Sequence, residues 1–405
     1  MRMRRLTVAV MAGAACWVEP FPVDLTIASE GASNPTVSIA PDGTVLAAWV
    51  ATRSDTSDVF LTRVGADGRA VTPIRVNDVV GDAAPHEQAP AQVVVGPDGI
   101  VHVVWTTNTP IPGRRFPASD LRYARSTDGG LTFAPTVTVN DDVAGPPSSH
   151  TFHDVAAGKD GLVVISWLDG RVSDSMRLAE PGVSEDHLPG SDIRVAISFD
   201  AGVSFVRRAV VDTNVCPCCR TSLALGANGG IHVAWRKVFS GDVRDIVVAT
   251  SHDAGESFDP PVRVHGDNWI YRGCPHAGPD LTTDLEGQLH VAWYTGAPHR
   301  AGLYHAVSAD GGMTFGSPTA LAESQPPSQA KVAVDGTGVI WMAWELRGEG
   351  GGDRIVSDWF DIGAWRPDPV TVGTGRSPAL AAAGGRRAIA WLGESGFVRV
   401  RIGPE

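Results

Sequence analysis

Lysine is nearly missing from this chain. Lys159, Lys237 and Lys331 are the only ones, and the formal net charge is −12. A surface this poor in flexible cations, and acidic overall, offers no basic stripe to track phosphates, which argues against nucleic-acid binding. There is no phosphate loop, no dinucleotide fingerprint and no nucleophile elbow, so the common nucleotide and serine-hydrolase chemistries find no footing. No linker and no long helical pattern divides the 405 residues. One apolar stretch near the N-terminus is too short to span a bilayer as a permanent helix. Cysteine is sparse, with five in all, while glycine (46) and proline (29) are abundant, as many short strands and turns require.

Seven times an apolar strand, a tight turn and a second strand ending in tryptophan recur. The tryptophans are Trp49, Trp105, Trp167, Trp235, Trp293, Trp344 and Trp391. A repeat of this kind means stacked β-sheet units of a propeller. Each unit divides into four antiparallel strands. Strand A ends at an Asp-Gly or Gly-Gly turn, strand B ends at tryptophan, strand C leads into a second turn, and strand D follows it. The units begin near Pro35, Pro90, Phe152, Arg220, Pro279, Gln329 and Pro378. The last has strands A to C but no D before Glu405, and the stretch Phe21–Glu30 reads as the missing strand. The expected fold is all-β. It is one propeller over residues 17–405, of four-stranded antiparallel blades, seven by count, closed by pairing the N-terminal strand into the last blade. Closure removes the exposed sheet edges.

A second repeat runs in phase with the first: Ser126–Phe133, Ser198–Phe205, Ser251–Phe258 and Ser308–Phe315 all read Ser-x-Asp-x-Gly-x-Thr/Ser-Phe. The carboxylates of Asp128, Asp200, Asp253 and Asp310 can accept backbone N–H bonds. The glycine takes positive φ, and the aromatic packs beneath the hairpin. These turns closely resemble the Asp-box of the BNR-repeat, sialidase-like β-propellers. In that family the box is a structural turn, so the resemblance implies fold and not activity. Its sialidases have six blades, which makes six the alternative to the seven counted here.

Residues 1–16 combine arginines, a short apolar run and small residues, the anatomy of an export signal. Ala14-Ala15-Cys16 resembles a bacterial lipobox, with Gly13 where leucine is usual, and makes Cys16 the candidate for lipidation. A plain cleaved signal is the alternative. The expected location is periplasmic, outer-membrane-anchored or cell-surface, with membrane contact only through that anchor.

The other four cysteines fall in two motifs, Cys216-Pro217-Cys218-Cys219 and Cys274-Pro275-His276. Both stand directly before a strand A, in units four and five. The repeat register therefore sets them side by side on one face, beside the central channel. Three chemistries compete. Structural disulfides suit an exported protein with an even number of these cysteines, but a ring between the neighbours Cys218 and Cys219 is strained. A thiolate–imidazole metal site fits the spacing, because in extended backbone Cys216 and Cys218 face one way, as do Cys274 and His276. Such soft ligands favour Cu(I) or Zn(II). A redox pair is the third, although the motif is not the usual Cys-x-x-Cys before a helix.

The same face, built of D-to-A and B-to-C loops, gathers other polar residues. They are His86, Glu87, Arg114, Arg115, His150, His153, Asp154, Asp169, Asp186, His187, Arg236 and Glu345. Long loops on one rim of a repeat fold mark the functional face. By contrast His102, His232 and His290 share one strand-B position and read as structural. The resemblance to sialidases implies, for activity, an arginine cluster, a tyrosine nucleophile paired with glutamate, and an aspartate acid/base. Arg171, Arg220 and Arg272 are the candidate arginines, and Tyr271 and Tyr294 the candidate nucleophiles. The family's early Arg-Ile-Pro motif is absent, since strand A of unit one reads Asn34-Pro35-Thr36-Val37. The expected function is binding of a metal, a glycan or an extracytoplasmic protein on this face. The alternative is an exo-sialidase or related glycoside hydrolase.

Overall fold

The computed structural model describes residues 23–404 apart from 29–30, 115, 181, 185–186, 324–327, 348–351, 362–363, 366–368 and 384–385. Residues 1–16, read as an export signal with Cys16, and also Arg115 and Asp186, lie outside the described residues. Among the described residues no helix is long and apolar enough to cross a membrane.

Seven antiparallel sheets make the ring. Blade one shows the plan, with strands A to D at Thr36–Ile39, Val45–Arg53, Thr56–Val64 and Ile74–Arg75. Strand B is sandwiched between neighbouring blades, so Val45–Ala51 is buried without alternation. Buried apolar residues group into seven clusters, one at each blade interface. The strand-B tryptophan of each blade packs with residues of the blade before it. Trp105 lies with Leu46 and Leu61, and Trp235 with Val164 and Ile193. One buried tryptophan removes roughly 200 Å² from water, about 5 kcal/mol at 25 cal/mol per Å² before entropy is counted.

The aspartate turns form as their chemistry dictates. Ser257 N and Oγ donate to Asp253 at 2.9 and 2.6 Å, and Gly255 N donates to Ser251 Oγ at 2.8 Å. Gly255 has φ +82°, and a Cβ there would stand 2.0 Å from Ile197 Cδ1 of the preceding blade. The glycine thus serves both the turn and the docking of blade four on blade three. His102, His232 and His290 bond to strand-C side chains, Tyr123, Thr250 and His305, at 2.7–3.0 Å. They are fold-repeating core residues.

Closure is by the N-terminal strand. Val23–Ala28 pairs antiparallel with Val398–Pro404, with Val23 opposite Ile402 and Leu25 opposite Val400. Arg401 clamps Asp24 with two bonds of 2.6 and 2.7 Å.

Three details differ from the sequence reading. Strand A of blade three starts at His150 rather than Phe152, because a bulge between Thr151 and Asp154 holds Phe152 at φ +55°. In blade six, Ala364–Trp365 and Val370–Thr374 both pair with strand C, Arg354–Asp361. The B-to-C connection of blade three forms a helix, α1 (Arg171–Ala179), too short to show as a long periodic pattern.

Removing residues 21–30 should reopen blade seven. The expected result is a loss of several kcal/mol, seen as a fall in Tm of about 5 °C or more. A calorimetric scan checks it, and an unchanged transition would mean the ring does not need this strand.

Candidate functional site

Both cysteine motifs end up on the face where strands D lead into strands A. Cys216, Cys218 and Cys219 fill that end of the interface between blades three and four, against Phe152 and Leu168. The loop is fixed at both ends. Cys216 N donates to Arg236 O at 3.2 Å, and Thr221 N donates to Phe152 O at 3.1 Å. The second motif is carried by the long connection from strand D of blade four (Val262–Arg263) to strand A of blade five (Asp280–Thr283).

Two buried arginines of blade four tie the loops together. Arg244 Nη1 donates to Cys216 Sγ at 3.0 Å, and its Nε donates to Tyr271 O at 2.7 Å. Arg236 donates to Ala277 O at 2.8 Å and to Tyr294 O at 2.7 Å, and lies 5.0 Å from the Trp269 ring centre. Arg244 has no motif around it and was not singled out from the sequence. Its only signal is its place on the strand beside the first cysteine loop.

The sulfurs meet. Cys216 Sγ lies 3.6 Å from both Cys218 Sγ and Cys219 Sγ. That is contact without a bond, since a disulfide spans about 2.05 Å, and none of these four cysteines forms a disulfide. The donor atoms of Cys216, Cys218 and Cys219 lie within 4.8 Å of one another, and so do those of Cys218, Cys274 and His276. The first set is buried, whereas Cys274 and His276 are exposed. His276 sits at φ +51°, a left-handed conformation that costs a non-glycine residue and persists where the surroundings enforce it. Hydrogen bonding with Cys218 and Cys219, reinforced by the Arg244 guanidinium, holds the Cys216 thiol well below its ordinary value despite burial. Hydrogen bonding to its cysteine neighbours raises Cys218, and burial raises Cys219. Arg244 thus sets a fixed positive charge against the Cys216 sulfur.

Other candidates scatter around this centre. The His86 ring stands edge-on to Phe152 at 5.1 Å, its pKa lowered by burial and then by nearby His276. His153 is fully buried with Nε2 3.2 Å from Val104 O, and burial holds its pKa at about 4, so it serves the core. Asp154 accepts from Leu223 N of the next blade at 2.8 Å, and burial pushes its carboxyl up to about 6. A channel cavity of about 450 Å³ runs along the innermost strands, lined by Gln92, Asp154, Arg220, Asp280, Gln329 and Lys331 among others. Arg220 is 6 % exposed, and its Nε has no hydrogen-bond partner.

The sialidase candidates have partners of their own. Arg171 spends its fork on Asp169 (2.8 Å) and Asp141 (2.7 Å), Arg272 bonds Asp242 at 3.0 Å, and Arg220 lines the channel. Tyr271 and Tyr294 come together only as flanks of Trp269, at 5.1 and 5.5 Å. Tyr294 is buried, and that burial raises its phenol pKa.

No protein-family model matches the chain, and no curated protein does. Solved structures do. A PL25 ulvan lyase superposes with a TM-score of 0.58 at 11 % identity over 94 % of this chain and 95 % of its own. The α-L-arabinanase of Penicillium chrysogenum gives 0.55 at 14 %, over 95 % and 99 %. A Hadza microbial sialidase gives 0.53 at 14 %, over 89 % and 73 %. The chain has the fold of the sialidase-like β-propellers. At these identities the likeness is one of fold.

Within this propeller, His150 forms a separate polar centre. Its ring is buried, with Nδ1 2.6 Å from Ser119 O and Nε2 3.0 Å from Asp142 Oδ1 and 3.5 Å from Asp169. Acceptors at both nitrogens call for the imidazolium. Burial lowers its pKa, but the Asp142 hydrogen bond and the Asp169 and Asp142 charges outweigh that, and the net shift is upward from 6.5. A raised folded pKa contributes stability that is whole below the ordinary value and lost as pH rises through the folded one. Tm should therefore fall as pH is raised above 6.5, and His150→Gln should flatten that slope. Thermal unfolding at a series of pH values decides it, and a slope unaltered by the substitution would contradict the assignment.

Proposed function

We propose that this chain is an exported metal-binding propeller that takes soft metal, Cu(I) or Zn(II), at the donor centre made of Cys216, Cys218, Cys219, Cys274 and His276. The observation that carries the reading is the convergence of these five donors from two loops a blade apart. A 3.6 Å separation of sulfurs is close to the edge of a ligand polyhedron with metal–sulfur bonds of about 2.3 Å. Arg244 on Cys216 supports ligation further, because the thiolate is the ligand. The leader at residues 1–16 supports an extracytoplasmic setting, anchored by lipid if Cys16 is modified. Protein purified under reducing conditions should carry at least one equivalent of metal, with its thiols unreactive until a chelator is added. Cys218→Ser should abolish retention and leave the propeller folded. Elemental analysis with thiol counting checks this. Two disulfides and no metal would overturn it.

Glycan recognition is a second reading, favoured by the polar channel cavity and by the company this fold keeps. One comparison structure is a lyase bound to a glucuronate–rhamnose sulfate chain, another an arabinanase with arabinobiose. A hydrolase needs a working nucleophile beside arginines that can take a carboxylate, but around Tyr271 and Tyr294 the arginines have other partners: Arg236 and Arg244 bond main-chain carbonyls and Cys216, and Arg272 bonds Asp242. A fluorogenic sialoside should not be turned over. Turnover abolished by Tyr271→Phe or Tyr294→Phe would replace the binding account with hydrolysis through a tyrosyl intermediate.

A further inference from the structure

Five donors are one too many for a single tetrahedral ion, and they do not surround one point. Cys216, Cys218 and Cys219 form one set, Cys218, Cys274 and His276 the other, each with its donor atoms within 4.8 Å of one another. The sets share Cys218 alone. We infer that the site takes two Cu(I) ions bridged by the Cys218 thiolate. The inner ion is held by Cys216, Cys218 and Cys219, and the outer by Cys218, Cys274 and His276. The inference rests on the metal reading of the same residues.

Coordination number is the first argument. Structural zinc is almost always held by four ligands, and each set here supplies three. Cu(I) is the soft alternative for thiolate ligands, it is content with three, and a thiolate sulfur keeps lone pairs for a second ion. Charge is the second argument. Buried charge must be compensated. Four thiolates are balanced by two monovalent ions together with the guanidiniums of Arg244 and Arg236. Arg244 is 3.0 Å from Cys216 Sγ, and Arg236 lies within electrostatic reach of Cys219. Two zinc ions in the same place would leave the centre with a net charge of two, positive, half of it on the buried inner set. Each thiol loses its one proton to solvent when it first binds copper, and the second copper–sulfur bond of Cys218 forms on a lone pair of the thiolate already made. The copper arrives as Cu(I), so no electron moves.

Burial makes the two ions unequal. The inner three cysteines are no more than 4 % exposed, whereas Cys274 and His276 open to solvent. The outer ion is therefore the exchangeable one, placed where a Cu(I)-carrying partner or chelator can reach it, and the inner ion is locked beneath it.

The test is titration of the full-length reduced protein with tetrakis(acetonitrile)copper(I) under argon, followed by challenge with excess bathocuproine disulfonate. The expected result is two copper ions per chain, one removed fast and one slowly in equal amounts, with a copper–copper vector in the X-ray absorption. Cys274→Ser should keep only the slow ion. One copper per chain, lost in a single phase, would overturn the bridged pair and leave metal binding standing. No copper at all would overturn the bridged pair and leave only the zinc form of the metal reading. Should Cys274→Ser unfold by circular dichroism, the wild-type stoichiometry, phase ratio and absorption vector still decide.

Discussion

The structure depends on one strand pairing. Val23–Ala28 joins the two ends of the chain by lying against Val398–Pro404, more than 370 residues away in sequence. Without it, blade seven has three strands and an open edge, and the ring has no reason to close. With it, each strand-B tryptophan has a preceding blade to pack on, including Trp49, which shares its cluster with Ala388, Ala390 and Val400 of blade seven. Closure then fixes the angle between neighbours all round. That angle decides which loops meet.

The cysteine centre is a product of this register. Its two motifs are more than fifty residues apart in sequence and touch because blades four and five are adjacent. The details come from two arginines rather than from the cysteines. Arg236 spends its donors on main-chain carbonyls, and Arg244 gives its Nε to Tyr271 O and its Nη1 to Cys216 Sγ, so that together they tie the second loop to the first. Charge that compensates thiolate is thus built into the frame before any ligand arrives. The His150 centre follows a different logic, with Asp142, Asp169 and Arg171 saturating one another. It ties the edge of blade three together.

The ring was legible in the sequence because its signals repeat. Seven tryptophans in phase with four aspartate turns leave little freedom, and the missing last strand could be matched to Phe21–Glu30 by its apolar alternation. The bulge at Phe152 and helix α1 were not legible, since neither repeats. At the site, the meeting of Cys218 with Cys274 followed from register alone. The separation into a buried and an exposed set did not, because it depends on how deep each loop sits. Arg236 looked like a ligand-face residue and is a buried tie. Arg244 was passed over because a single arginine in a strand carries no pattern. His153 and Asp154, read as ligand-face residues, turn into the blade interface and the channel wall.

The central claim is that blade register builds a soft-metal centre from two loops. Anomalous diffraction at the copper edge, from crystals of the reduced protein loaded with Cu(I), tests it most directly. The account predicts anomalous peaks between Cys218 and Cys274 and between Cys216 and Cys219. A featureless anomalous map, with continuous sulfur–sulfur density joining Cys274 to the first motif, would contradict it and leave a staple between blades in place of a metal centre.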